Sequence, residues 1–232
     1  MAVPLVRRVQ ACDVDTIVSI NEEARAHGYS GSGFLVAPLT AQTVLAETDE
    51  GRADYAIAEV EGEVVGFLKY STRSLEGYQS PTWIDEPVDL VGGIHIERVA
   101  VRASHRGKGI GTSLYADLYR RCGSALLYTY VIVSPCPNIA SVGFHEARGF
   151  RSVARVPYAM DDGSWFLEQL YVLEDPARLA GSGIRSKGFI TRLHPGHGLL
   201  DGARLLLEQE LGSGYVTADR LLALTRGTDD GV

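Results

Sequence analysis

Residues 94–111 read IHIERVAVRASHRGKGIG, and the two halves of this stretch decide the fold. The first half alternates as a strand does, but Ile94 and Ile96 share one parity while Val99 and Val101 share the other. Side chains alternate between the faces of a strand, so a slip of one residue turns over everything that follows unless a β-bulge absorbs it. A bulge is therefore expected at Glu97-Arg98. The second half, His105 to Gly111, holds three glycines and three basic side chains in seven residues. Strand, glycine loop and helix in succession aim backbone amides and the positive end of a helix dipole at one point, which suits a phosphate.

Known phosphate loops can be tested against these letters. A P-loop needs Ser or Thr after its lysine, and Lys108 is followed by Gly109. The dinucleotide pattern GxGxxG fails at Thr112, and the next strand ends in Val133-Ser134 without the acid that would hold a ribose. What remains is Arg-x-x-Gly-x-Gly, formed by Arg106, Gly109 and Gly111. Gly107 and Gly109 would let the main chain approach a diphosphate, Gly111 would let the helix start against the strand, and Arg106 and Lys108 would supply charge.

Around this stretch the periodicities outline a mixed chain. Val3 to Val9 suits a strand, Asp13 is a candidate cap for a helix bearing Ile17, Ile20 and Ala24, and Thr40 is a candidate cap for a second helix. Asp54 to Val60 and Glu63 to Ser71 read as an antiparallel hairpin closed by Glu61-Gly62. Ile110, Leu114 and Leu118, flanked by Tyr115 and Tyr119, form an apolar stripe, with Ser113, Asp117 and Arg120 expected to face water. ALLYTYVIV (125–133) reads as a strand buried on both faces. Asn138 opens a short helix through Arg148, stopped by Gly149, and two last strands follow at Ser152–Val156 and Trp165–Leu173. This order is α/β of the mixed, α+β-like kind. Residues 1–174 make one domain. Residues 175–232, with the linker-like GSGIRSKG and two leucine-rich stretches, make a small helical C-terminal extension expected to pack on the body or on a partner chain.

Composition narrows the function. The 232 residues are 45% hydrophobic and 22% charged, with a net charge of −7. That balance opposes nucleic-acid binding, which asks for a basic excess. No apolar run is long enough to span a bilayer and the amino terminus has no signal-peptide core, so no membrane association and a cytoplasmic location are expected. Cys12, Cys122 and Cys136 are odd in number and form no CxxC, so free thiols are expected and no metal. His194 and His197 flank a Pro-Gly turn with no third ligand in view and are read as a loop.

The motif after IERVAV resembles the pyrophosphate-binding motif of the GNAT superfamily of acyl-CoA-dependent N-acyltransferases. The resemblance covers about residues 3–173. NIASVGFHEARGF (138–150) is similar to the superfamily's second signature, and PCPN followed by SVGFHEARGF is similar to a bacterial subgroup of it. The resemblance implies a GNAT-like central mixed sheet with a β-bulge and splayed strands, helices on both faces, and the acetyl-CoA (acyl-CoA) pantetheine arm lying in the splay. It implies an N-acetyltransferase that transfers the acyl group to a primary amine of a small molecule or peptide by direct attack in a ternary complex. Arg106, Gly107, Lys108, Gly109, Ile110, Gly111 and Thr112 would then hold the diphosphate. The backbone of Val99 and Val101 would bond the pantetheine amides, and an amide near the bulge would polarise the thioester carbonyl.

Two catalytic roles follow by the same resemblance. Glu97 occupies the strand position where many members carry an acid, and would accept the amine proton through water. The other reading is a partner for Arg98 or Arg102, or a surface acid at a bulge. The leaving thiolate is commonly protonated by a tyrosine of the last helix, but this chain has His145 there, which is read either as that acid or as a CoA-contacting or helix-packing histidine. Asn138 would contact the cofactor or serve as an N-cap, and Cys136 is read as a small apolar filler. The acceptor amine is expected under the hairpin and the 74–93 loop. Tyr78 and Trp83 stand there among Glu76, Asp85, Glu86 and Asp89, a mix suited to a cation with an apolar part; the other reading is an acidic loop over a core tryptophan.

Two rivals stand beside this reading. Some relatives take aminoacyl-tRNA as donor, and Arg178, Arg185, Lys187, Arg192 and Arg204 make 176–205 locally basic. A non-catalytic CoA-binding regulator would use ARLLLEQELGSGYVTADRLLAL as a homodimer arm or a helix–turn–helix, which offers only Arg220 and Arg226 to DNA.

Overall fold

The computed structural model describes residues 3–26, 33–72, 80–84, 86–159 and 165–176. After β1 (Leu5–Arg8) and a 3-10 turn (Ala11–Asp13) come α1 (Val14–Ala26), α2 (Ala41–Asp49), β2 (Asp54–Val60), β3 (Glu63–Ser71) and β4 (Thr82–Trp83). β5 (Ile94–Val101), α3 (Ile110–Cys122), β6 (Leu127–Ser134), α4 (Ile139–Glu146), β7 (Arg151–Ala159) and β8 (Trp165–Leu173) follow among the described residues. The C-terminal extension from residue 177 onward, with His194 and His197, lies outside the described residues.

Local chemistry accounts for most boundaries. The β2–β3 hairpin closes through Glu61 and Gly62, both at positive φ (53° and 84°) as a two-residue turn matching strand twist requires. Thr40 caps α2, its Oγ1 accepting from the Thr43 amide at 3.1 Å. Asp13 departs from the expected cap. It lies inside the 3-10 turn, where its carboxylate accepts from the Gln10 amide at 2.7 Å and pairs with both terminal nitrogens of Arg7. Asp117 was expected in water and is instead buried on α3, because Arg121 and Arg120 fold over it at 2.5 and 3.1 Å.

The eight strands form one sheet in the order β1-β2-β3-β5-β6-β8-β7-β4. Among the described strands β5 and β6 are the only parallel neighbours, and they pair only at Ile94↔Leu127 and His95↔Tyr128. Beyond that point β5 stays with β3 and β6 stays with β8, so the sheet opens between its two central strands. Helices cover both faces, as expected. α1 and α2 bury Ile17, Ile20 and Val44 against Tyr55, Ile57 and Phe67. α3 and α4 bury Leu114, Leu118 and Val142 against Leu68, Ile96 and Val131. Each such side chain contributes about 1.5–3 kcal/mol on burial, and emptying the site of Leu114 would cost about 2–5 kcal/mol.

Candidate active site

The bulge is where the parity slip put it. Lys69 pairs with Arg98 and Tyr70 with Ile96, so Glu97 is the extra residue on β5. The Arg102 amide donates to Val65 O at 2.9 Å, toward β3. Because amides alternate along a strand, those of Val99 and Val101 point to the edge that β6 has left. Arg106 is more than a source of charge: its Nε donates to Val101 O at 3.1 Å and so braces that edge against the loop that follows.

The loop delivers the chain to the helix. Gly107 and Gly109 take φ of +73° and +81°, a region that side chains other than glycine enter at a cost. Gly109 caps α3, and the first intrahelical bond runs from the Ser113 amide to Gly109 O at 3.0 Å. The amides of Ile110, Gly111 and Thr112 precede that bond and have no helical acceptor. Gly111 does not serve helix–strand packing as expected. A Cβ there would meet the Phe144 ring of α4 at 3.0 Å, so the glycine lets α4 close on α3. Thr112 Oγ1 accepts from Arg148, just past the end of α4, whose guanidinium lies 3.4 Å from the centre of the Phe144 ring.

A cavity of about 660 Å³ runs from this loop along the open edge of β5 to the bulge and on to the α1–α2 connection. Val99, Val101, Arg106, Gly107, Gly109, Ile110, Gly111, Thr112, Asn138, Glu97 and His145 all line it. Lys108 is exposed beside the loop and is absent from the wall. Asn138 is buried and works in two directions: its Oδ1 accepts from the Ser141 amide as the cap of α4, and its Nδ2 donates to Phe34 O at 2.9 Å, fixing the α1–α2 connection against the cavity.

The partner of Glu97 is neither Arg98 nor Arg102 but Lys69, at 2.6 Å. Lys69 is only 5% exposed and also meets Glu47 of α2 at 2.8 Å, whose other oxygen takes the Tyr55 hydroxyl at 2.6 Å. Burial pushes the Glu97 carboxyl up, but the Lys69 hydrogen bond and charge, with smaller help from Ser71 and His95, outweigh it and hold the group below the usual carboxylate range. Sequence reasoning missed Lys69. Its signal was a lone lysine in the otherwise apolar strand EVVGFLKYS, facing a bulge that carries an acid.

His145 is 2% exposed. Nδ1 is 2.7 Å from Ser141 O, a pure acceptor, so Nδ1 carries the proton and Nε2 accepts from the Tyr115 hydroxyl at 2.7 Å. Burial pushes the imidazole down to about 4. At neutral pH it is uncharged with both nitrogens engaged, an arrangement that suits the helix-packing reading of this residue.

Trp83 is not in the cavity wall. It belongs to β4, pairs with Ala154 at the outer edge of β7, and packs on Val153, Val156 and Leu170. Tyr78 lies outside the described residues. The wall beyond the bulge holds His95 instead, which the sequence offered no reason to select. His95 is 5% exposed, stacks on Tyr128 with ring centres 5.1 Å apart, and has no hydrogen-bond partner on Nδ1. Among the described residues no group of three or more His, Cys, Asp or Glu could hold a metal ion, and no helix is long and apolar enough to cross a membrane.

The profile of the acetyltransferase (GNAT) family matches residues 20–150, which take in the bulged strand, the glycine loop, α3, β6 and α4. The chain belongs to the GNAT acetyltransferase family. Among its curated relatives is the L-methionine sulfoximine/L-methionine sulfone acetyltransferase of Pseudomonas paraeruginosa, 28% identical over 138 residues, or 58% of this chain and 73% of that protein. Another is the N-alpha-acetyltransferase of Sulfurisphaera tokodaii, 28% identical over 179 residues, or 74% of this chain and 92% of that one. Among solved structures, yncA from Salmonella typhimurium with its cofactor acetyl-CoA superposes with a TM-score of 0.55 at 22% identity, covering 75% of this GNAT chain and 94% of that one. The ribosomal-protein-alanine N-acetyltransferase of Brucella melitensis follows at 0.53 and 21%, covering 73% and 99%. At these identities the superpositions speak to the fold, a mixed α/β GNAT fold.

Proposed function

We propose that this GNAT acetyltransferase moves an acetyl group from acetyl-CoA to a primary amine by direct attack in a ternary complex. The observation that carries the proposal is the opening between β5 and β6. It begins at the bulge, exposes the amides of Val99 and Val101, and ends at the α3 amides behind Gly107 and Gly109. A diphosphate fits the glycine loop, with Ile110, Gly111 and Thr112 amides toward it and Arg106 and Lys108 beside it. The pantetheine arm fits the free edge of β5, with Asn138 closing the far wall.

The reaction needs an uncharged amine, which at a pKa near 10 is about one molecule in a thousand at pH 7. Glu97, ionised throughout the physiological range, draws the ammonium toward the bulge and takes its proton through water. The amine lone pair then forms the N–C bond, an amide at the bulge bonds the developing oxyanion, the nitrogen gives its second proton to water, and the C–S bond breaks to release the CoA thiolate. A thiol of pKa about 8.5 leaves without a strong acid. We therefore assign His145 to holding the Tyr115 hydroxyl and packing α4, and the thiolate proton to solvent.

Thermal unfolding with and without acetyl-CoA tests the reading. Ligand at 100 times its Kd adds about 2.7 kcal/mol, a shift of several degrees, and a Gly109→Trp variant is expected to lose it. No shift at millimolar acetyl-CoA or CoA would remove the donor from the account.

A further inference from the structure

The bulge sends two successive side chains of β5 to the same side of the sheet. Glu97 meets Lys69, which reaches Glu47 of α2, and Arg98 reaches Asn21 of α1 and the main chain of the α1–α2 connection. In a regular strand such neighbours would face opposite ways. Both residues also line the cavity. An acid and a base thus stand side by side in its wall, next to the place proposed for the reacting carbonyl.

The two are not equally satisfied. Glu97 shares Lys69 with Glu47, at 2.6 and 2.8 Å. Arg98 is a half-buried cation whose bonds run to neutral oxygens alone: its Nη1 donates to Asn21 Oδ1 at 2.9 Å, Ala37 O at 2.8 Å and Pro38 O at 3.4 Å. Its Nε and Nη2 bond nothing among the described residues, and neither is among the polar atoms buried without a partner, so both stay open. The charges of Glu97 and Glu47 reach the guanidinium, but no carboxylate among the described residues forms an ion pair with it. Burial outweighs those charges and pushes Arg98 down, the sign of a cation short of a counter-charge. The neighbouring arginines are committed elsewhere. Arg106 and Arg148 stand at the glycine-loop end, bonded to Val101 O and to Phe144 O and Thr112 Oγ1, and Arg25 pairs with Glu22 at 2.7 Å.

We propose that Arg98 receives the carboxylate of the acceptor through Nε and Nη2 while Glu97 receives its ammonium, so that the acceptor is a free α-amino acid. The inference rests on the acetyl-transfer reading and narrows its substrate class. An α-amino acid carries its two charges on neighbouring groups, as the bulge does on neighbouring residues. Charge balance favours the same class. Glu47, Glu97, Lys69 and Arg98 offset one another, so a plain amine brings an uncompensated positive charge, whereas a zwitterion brings none. A guanidinium and a carboxylate match through two parallel N–H···O bonds, which Nε and one Nη2 hydrogen supply. The three bonds on Nη1 hold the fork still, so little freedom is lost when the carboxylate docks.

The test uses sets of acceptors that share a side chain and differ at the carboxylate: L-leucine, L-leucinamide and 3-methylbutylamine; L-phenylalanine, L-phenylalaninamide and 2-phenylethylamine; L-serine, L-serinamide and ethanolamine. Binding to CoA-saturated full-length protein is measured by titration calorimetry, and acetyl transfer by thiol release from acetyl-CoA. Affinity is the deciding readout, because an amide group alters the reactivity of the amine beside it whatever the site does. In every set that binds, the amino acid is expected to bind at least tenfold tighter than its two partners, and Arg98→Gln and Arg98→Met to bring that ratio near one. The ratio is internal to each variant, so a general loosening of the α1–α2 connection lowers all the affinities together and leaves it unchanged. If neither variant folds, the wild-type ratio alone decides. An amide or amine that matches its amino acid, a folded Arg98 variant that keeps the wild-type ratio, or a failure of all the compounds to bind protein that does bind CoA, overturns the inference and leaves acetyl transfer standing. A protein that binds no CoA overturns both.

Discussion

At the scale of single residues, the account turns on a carboxylate and the lysine that holds it. The half-buried Glu97 and the buried Lys69 pair at 2.6 Å, and Glu47 shares the ammonium. If Glu97 relays the amine proton, Glu97→Gln lowers kcat/KM by about 10²-fold or more and leaves the KM for acetyl-CoA nearly unchanged. Steady-state kinetics with an accepted amine decides this; an unchanged rate removes Glu97 from the chemistry. Lys69→Met strips the interaction that depresses the Glu97 carboxyl, so its pKa rises and the acid limb of the kcat/KM profile moves to higher pH. The same change leaves two acids without their cation and costs about 3–5 kcal/mol in denaturant unfolding, part of which Lys69→Met/Glu97→Gln recovers. An acid limb that stays in place would mean that Glu97 does not titrate in the reaction.

At the scale of elements, the glycine loop separates backbone strain from crowding. No atom lies within 4 Å of a Cβ built on Gly109, yet its φ is +81°. Gly109→Ala is therefore expected to cost about 1–2 kcal/mol through conformation alone, read as a lower midpoint in urea, whereas an unchanged midpoint would mean that the loop relaxes freely. Elements were also where the sequence was most readable. The parity slip in IHIERVAV located the bulge to the pair Glu97-Arg98, because a strand cannot change face without one. Glu61-Gly62 fixed the hairpin, because few residue pairs accept two positive φ angles. The opening of β5 from β6 was legible only through the family resemblance, since it depends on where pairing stops across 25 residues of intervening chain. Asp117, Lys69 and Arg98 were misread or missed for a related reason. A charged side chain reads as solvated until its tertiary partner is known, and each of these partners comes from tertiary or helical packing. Trp83 took the second of its two readings, as an aromatic in an acidic loop that β7 draws half-buried against its edge.

At the scale of the whole molecule, two of the three cavity-lining histidines, His95 and His145, are buried in their neutral form, and this sets the stability against acid. His95 and His145 are each pushed down from about 6.5 to about 4. Their native pKa lies below the unfolded one, so the unfolded chain binds more protons between these values. The stability they confer is complete above pH 6.5 and is lost as pH falls toward 4, on the order of 3 kcal/mol for each histidine. Denaturant midpoints measured from pH 7.5 to 4 are expected to fall across that window, and His145→Gln to flatten the fall by about half; a flat wild-type curve would mean that neither ring is buried in solution.

The central claim is that the cofactor lies where the sheet opens, and an electron-density map of the protein crystallised with acetyl-CoA reads it most directly. The diphosphate is predicted on the amides of 110–112, the pantetheine along Val99 and Val101, and the thioester carbonyl at the Glu97 bulge facing His95 and Tyr130. Density for acetyl-CoA elsewhere, or β5 and β6 paired along their whole length with no room between them, would contradict it.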